Sequence, residues 1–340
     1  MRPARDELFD WILSNRQSCR YNLTSSGLTE PDLRAMGVDT SYEAYATEKS
    51  DLELALAEEI ARSYRVEPEN VVLTAGASES IFLVYSVFGN GRRAVVPLPN
   101  YPPMFTVPKA LGMTLSGALR GPGRPIFGLT DPNNPTGRSL STAMVQNLLK
   151  ICSKTGATAF INETYREFTF PKEPLTHFGS APNIITCSTM TKFYGLGRLR
   201  VGWILADKKS ARQLLFAKWA VSGHDSEYSL WLATQVLKKR LKFVERARRI
   251  HSANIRLVRK FLRDTEWVSA ELGAAPFCLV RYGKGPPSLQ LAKAILSRTG
   301  VLIGPGDFFG APRAFRLCFT SDEETLKRGL EVLSDFFGRN

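Results

Sequence analysis

From about residue 70 onward the chain alternates between two textures. Short runs of apolar residues at Val71–Thr74, Ala94–Pro97, Ile126–Leu129, Ala157–Ile161, Ile184–Cys187 and Val201–Ala206 predict strands. Between several of them lie Ser78–Phe88, Pro102–Leu111 and Thr142–Ser153, which predict helices. Upstream, Ser50-Asp-Leu-Glu53 resembles a helix N-terminal cap, and Leu54, Ala57, Ile60, Ala61 and Tyr64 follow at helical spacing. This alternation predicts an α/β fold with a large, mostly parallel sheet and helices on both faces.

The texture changes after Ser210. From about Glu227 to Asp264 there is no proline and no glycine, which predicts one long helical region. Beyond it, Phe277–Tyr282, Val301–Ile303 and Ala314–Phe319 read as strands, and Ser288–Arg298 and Glu323–Phe337 as helices, giving a smaller α/β unit. The start at Asp6–Leu13 is amphipathic, and Tyr21–Gly37 is polar and turn-rich. The expected organisation is an N-terminal segment, 1–40, packing on the small domain; a large ligand-binding domain, 41–220; and an interdomain helix with the small domain, 221–340.

Composition narrows the function. At 340 residues, with 44% hydrophobic and 23% charged, the chain has ample material for a core. The net charge of +13 raises nucleic acid, anionic membrane and anionic small molecules as partners. The basic run Lys238–Arg249 interleaves with apolar residues at helical spacing, so it reads as a solvated helix face, and nucleic acid is not expected. No apolar run approaches membrane-spanning length, and MRPARDELFDWIL lacks the apolar centre of a signal peptide; no membrane and a cytoplasmic location are expected. Five cysteines include no CxxC pair, and Cys152, Cys187, Cys278 and Cys318 sit in apolar runs, which suggests buried thiols in a reducing compartment. His177, His224 and His251 make no ligand spacing with one another or with cysteine, so neither a metal site nor a histidine triad is expected.

In an open α/β sheet, ligands bind beyond the carboxyl ends of the strands. After Val71–Leu73 comes TAGASES, where Gly76, Ala77 and Ser78 open a helix whose free N–H groups suit an anion. After Ala94–Pro97, Tyr101 is held between prolines. After Ile126–Leu129 the turn DPNNPTG presents Asn133 and Asn134, and after Ala157–Ile161 come Asn162 and Tyr165. After Ile184–Cys187 comes STMTKFYGLGRLRVGW, which sets Lys192 between hydroxyls and glycines with Arg198 and Arg200 downstream. Taken singly, Ser78 is a helix cap, Asn134 a turn residue, Tyr101 and Tyr165 packed aromatics, and Arg198 a surface charge. Taken together, they suit a planar aromatic carbonyl compound bearing a phosphate. Lys192 would form a Schiff base with the aldehyde and Tyr101 would stack on the ring; Asn134 and Tyr165 would hydrogen-bond a ring hydroxyl. Ser78, Thr189 and Arg200, with the helix N–H groups, would hold the phosphate.

The pattern resembles the fold-type I pyridoxal-phosphate enzymes of the class I/II aminotransferase family, which includes aspartate and histidinol-phosphate aminotransferases. Thr189-Met-Thr191-Lys192-Phe-Tyr-Gly195-Leu-Gly197-Arg-Leu-Arg200-Val-Gly202 is similar to the family's lysine loop, with threonine for both serines. Asn134-Pro-Thr-Gly137 matches its NPTG, and Phe315-Arg316-Leu-Cys-Phe319, after the turn Gly304-Pro-Gly306, resembles the segment whose arginine pairs with the substrate α-carboxylate. The resemblance implies pyridoxal phosphate among Gly76, Ala77, Ser78, Tyr101, Asn134, Asn162, Tyr165, Thr189, Thr191, Lys192 and Arg200. It implies Lys192 as the catalytic group, Arg316 and Asn134 at the substrate, and a homodimeric aminotransferase exchanging the amino group between an amino acid and a 2-oxo acid.

Two departures stand out. Asn162 occupies the place of the family's aspartate, which binds the pyridine nitrogen in an Asp-x-x-Tyr motif. Strand alternation sends Glu163 to the other face, so it is no substitute. Replacing a charged by a neutral hydrogen bond costs about 1–2 kcal/mol, roughly 5–30-fold in rate. That leaves open another reaction on the same cofactor (an amino-acid decarboxylase, racemase or lyase) or a catalytically weak cofactor-binding protein. The second departure follows Tyr45, the nearest candidate for a tyrosine entering a partner's site: Lys49-Ser-Asp51 stands where the family has glycine.

Overall fold

A computed structural model describes residues 5–117, 123–170 and 176–338. Its strands are β1 Tyr21–Asn22, β2 Val71–Thr74, β3 Ala94–Val95, β4 Leu115–Ser116, β5 Ile126–Thr130, β6 Thr158–Asn162, β7 Ile184–Thr189, β8 Gly202–Leu205, β9 Val268–Ser269, β10 Phe277–Tyr282, β11 Val301–Leu302, β12 Gly304–Pro305 and β13 Ala314–Cys318. The α-helices are α1 Glu7–Asn15, α2 Tyr42–Ala46, α3 Leu52–Tyr64, α4 Ala77–Phe88, α5 Pro103–Ala110, α6 Thr142–Thr155, α7 Lys208–Val221, α8 Glu227–Lys238, α9 Arg240–Asp264, α10 Ser288–Thr299 and α11 Glu323–Gly338.

Seven strands form the large sheet in the order β2-β8-β7-β6-β5-β3-β4. Strand β8 runs antiparallel to both neighbours, and the ladder from β7 through to β4 is parallel. Helices cover both faces, so the central strands read as continuous apolar runs rather than alternations, and β6 and β7 are buried along their whole length. The register brings Thr130, Asn162 and Cys187 level with one another, and places Thr74 and Thr189 on either side of Gly202. One edge of the sheet therefore collects the ends of β2, β5, β6 and β7 with the start of β8.

The second unit is a four-stranded antiparallel sheet, β12-β13-β10-β9. Leu8 and Trp11 of α1 share its core with Phe315 and Leu330, and the Trp11 indole N–H donates to the Ile303 carbonyl at 2.9 Å. Strand β1 pairs in parallel with β11.

The proline-free stretch predicted as one helix is two. Lys239 leaves helical geometry (φ −109°, ψ 20°) between α8 and α9. The two segments have different environments: α8 is buried along Leu230–Leu237 beneath α3, whereas α9 carries a narrow buried stripe. Phe243 and Ala247 of that stripe enter the large-sheet core, and Val258 and Phe261 enter the small-sheet core. Tertiary burial, not a breaking residue, redirects the chain. Strand β4 has no counterpart among the predicted runs, being a two-residue edge strand with Leu115 exposed.

Candidate active site

At the collecting edge of the large sheet lies a cavity of about 400 Å³. Ala77 and Ser78 line it from the start of α4, which has no side-chain cap, so the first-turn N–H groups stay available. Gly76 precedes them at φ +89°, a left-handed conformation that suits glycine, and a Cβ there would lie 2.9 Å from Arg200 Nη2. The Arg200 guanidinium donates to the Ala75 carbonyl at 2.7 Å, which sets its charge beside the helix N-terminus. Gly202 lets the lysine loop approach this turn, since a Cβ on it would sit 2.7 Å from the Gly76 Cα. Thr189 Oγ1 donates to the Val201 carbonyl at 2.8 Å and lies 3.0 Å from Thr191 Oγ1, so both hydroxyls line the cavity near Arg200.

Lys192 follows, partly buried and lining the same wall. Burial, and then the Arg316 guanidinium, lower its amine from 10.5 to about 8. Tyr101 lines the cavity with its phenol held protonated by burial. Its backbone N–H donates to Asn100 Oδ1, which also accepts from Thr130 Oγ1 at 3.1 Å. Thr130 Oγ1 in turn accepts the Asn134 N–H at 3.1 Å, so the asparagine turn and the tyrosine loop are braced on one polar node.

Arg316 is 2% exposed, on β13 opposite Gly304 and Leu279. Nη1 donates to Asn134 Oδ1 and Nη2 to the Thr24 carbonyl, both at 3.0 Å, while the buried Nε has no partner. The guanidinium lies over the rings of Phe309 and Phe277, at 4.9 and 5.6 Å. Among the described residues no carboxylate pairs with it. The Tyr165 hydroxyl, pushed up to about 12 by burial, donates to Ser26 Oγ at 2.7 Å. Asn162 Oδ1 accepts the Thr164 backbone N–H at 3.0 Å.

All the residues named from the sequence for cofactor and substrate line this cavity except Gly76, which packs beneath Arg200. Arg198 is exposed and 3.3 Å from Glu30. Tyr45 does not line the cavity; its hydroxyl donates to Glu227 at 3.1 Å. Glu163 is buried off the cavity, accepting the His177 N–H at 2.6 Å. Thr24, Ser26, Thr130 and Thr164 line the wall without having been singled out, as do Phe9, Ile12 and Leu13 of α1 and Arg16 just after it. The run Thr24-Ser-Ser26 was the available signal, three consecutive hydroxyls in a polar segment. Among the described residues, four cationic side chains (Arg16, Lys192, Arg200 and Arg316) line the cavity and no carboxylate does.

A mixed sheet of this order with a smaller antiparallel unit and a lysine at the strand edge defines the fold-type I aminotransferase class. The solved structure of a PLP-dependent aminotransferase from Streptococcus suis 89-1591 superposes with a TM-score of 0.90, covering 100% of this chain and 99% of that one at 22% identity. Residues 114–333 match the model for aminotransferase class I and II, and the chain belongs to that family. It is 26% identical over 286 residues to histidinol-phosphate aminotransferase 2 of Carboxydothermus hydrogenoformans, spanning 75% of this chain and 74% of that protein. It is 24% identical over 375 residues to capreomycidine synthase of Streptomyces vinaceus, spanning 97% and 93%. The cofactor of the family is pyridoxal phosphate, and the cavity fits it: an uncapped helix start beside the Arg200 guanidinium for a phosphate, a depressed amine for an aldehyde, and, among the described residues, no acid on the wall.

Proposed function

We propose that the chain is a pyridoxal-phosphate-dependent aminotransferase that moves the amino group of an amino acid to a 2-oxo acid. The observation that carries this reading is Arg316, a buried cation with an orphan Nε and no carboxylate partner, on the same cavity wall as Lys192. An uncompensated buried charge is costly, and a substrate α-carboxylate offsets it. By the family resemblance we further propose a cytoplasmic homodimer organised as segments 1–40, 41–220 and 221–340.

When bound, pyridoxal phosphate supplies an aldehyde carbon that takes up the amino group and a conjugated ring that delocalises the electron pair left at the substrate Cα. The first turn of α4, Ser78, Thr189, Thr191 and Arg200 would hold the phosphate. Tyr101 would lie against the ring. Asn134, whose Oδ1 is engaged by Arg316, offers Nδ2 to the ring hydroxyl, with Tyr165 beside it. Arg316 fixes the substrate carboxylate and so places Cα within reach of Lys192. An amine near 8 is close to working pH, which would suit Lys192 as the base that takes the substrate Cα proton.

A second reading, another reaction on the same cofactor, is favoured by Asn162 and by the nearly full-length likeness to capreomycidine synthase. The test is the visible spectrum of the purified protein before and after a panel of amino acids, with Lys192→Ala as control. Conversion of a Lys192-dependent band to the pyridoxamine spectrum by one amino acid supports transamination. A product other than the 2-oxo acid supports the second reading, and no band after adding the cofactor refutes both.

A further inference from the structure

We propose that Asn162, with Thr164, holds the pyridine nitrogen of the cofactor in its unprotonated form, so that this chain works with a neutral ring. The inference rests on the cofactor reading above. Asn162 closes β6 opposite Thr130 and Cys187, is 5% exposed, and lines the cavity. Its Oδ1 accepts the backbone N–H of Thr164 at 3.0 Å. A backbone N–H only donates, so this contact fixes which end of the amide is oxygen, and Nδ2 has no hydrogen-bond partner among the described residues. The group left for a ligand is therefore a donor. A ring nitrogen that meets a donor must accept, and it accepts only when it carries no proton.

The surroundings point the same way. Among the described residues no carboxylate lines the cavity, so a pyridinium would have no counter-ion there. The acids next in sequence to the strand ends are Asp131 and Glu163. Neither lines the cavity: Asp131 pairs with Arg166 and with His177 Nε2, and Glu163 with the His177 backbone N–H. Thr164 does line it, and its hydroxyl is buried without a partner, which supplies a second neutral group beside Asn162 and no counter-charge. A neutral ring delocalises the electron pair at Cα less well than a pyridinium. Asn162 thus sets the reactivity of the site, and a carboxylate in its place raises the rate of Cα proton transfer about tenfold.

The experiment is ¹⁵N NMR of the full chain reconstituted with pyridoxal phosphate labelled at the ring nitrogen, at neutral pH, for wild type and Asn162→Asp. The expected result is an unprotonated-pyridine resonance in wild type that moves to the pyridinium position in Asn162→Asp. A pyridinium resonance in wild type overturns the inference and leaves the cofactor reading intact. Failure of wild type to bind the labelled cofactor overturns both. Should Asn162→Asp not fold, the wild-type resonance alone decides.

Discussion

Arg316→Leu separates the two roles a buried guanidinium can have. Of the five N–H donors on Arg316, two meet protein oxygens at 3.0 Å, on Asn134 and Thr24, and the orphan Nε belongs to the rest. A carboxylate bound through two charge-assisted hydrogen bonds at about 1.5–3 kcal/mol each, partly offset by desolvation, gains about 3–5 kcal/mol. Its loss lowers kcat/KM for an amino acid by roughly 10²–10⁴-fold. The effect on folding runs the other way. Leucine forfeits the two protein hydrogen bonds but also removes a buried charge with no counter-ion, so stability changes by no more than about 1 kcal/mol in either direction. The assay pairs denaturant unfolding with single-turnover kinetics, comparing an amino acid with the amine that lacks its carboxylate. Only the amino acid should lose rate. An equal loss for the amine, or destabilisation beyond about 3 kcal/mol, refutes the assignment and makes Arg316 a structural tie between β13 and the N-terminal segment.

Lys192→Met raises the stability of the cofactor-free protein at pH 7. The wild-type amine is lowered from 10.5 to about 8, so below 8 it is charged in a partly buried place, and the unfolded chain holds the proton to higher pH. Wild-type stability therefore rises between about pH 8 and 10.5; the variant lacks that rise and gains about 2 kcal/mol at pH 7, read by urea titrations across pH. Gly76→Ala places a Cβ 2.9 Å from Arg200 Nη2 at φ +89°, so cofactor affinity measured by equilibrium dialysis falls about tenfold while the fold persists. His251 is lowered from 6.5 to about 4, by burial and then by Arg259. Its neutral form stabilises the fold above about 6.5 and that contribution is lost as pH falls toward 4, so His251→Leu flattens the acid limb, by about 2 kcal/mol at pH 5.

What the sequence disclosed and what it withheld divide along contact range. Lys192, Asn134, Asn162 and Tyr101 were legible because each follows a strand run, and parallel strands bring such positions to one edge. Ser26 and Thr24 reach the site through Tyr165 and Arg316, across 139 and 292 residues, and no local pattern encodes such pairings. The apolar face of α1 read as ordinary amphipathicity. Trp11, tied to Ile303, anchors the helix so that Phe9, Ile12 and Leu13 wall the cavity. The break at Lys239 was invisible for a related reason: both flanking segments are good helix, and their direction is set by which core each one enters.

The charge arrangement links function back to stability. Arg316 is a buried cation and Lys192 a partly buried one, with no carboxylate among the described residues on the cavity wall, and Arg200 adds a third cation beside a helix N-terminus. The empty fold therefore carries an electrostatic cost that anionic ligands relieve, and binding must appear as stabilisation. The phosphate of the cofactor addresses Arg200 and the α4 turn, whereas a carboxylate addresses Arg316. The two gains should then be separable: cofactor should raise the melting temperature of wild type and of Arg316→Leu alike, and a non-reactive carboxylate analogue should add a further increment in wild type alone. At a concentration a hundredfold above its Kd each ligand contributes about 2.7 kcal/mol, a shift well within calorimetric reach. An increment from the analogue that persists in Arg316→Leu would place the carboxylate elsewhere, with Arg16, which also lines the cavity, as the next cation to test.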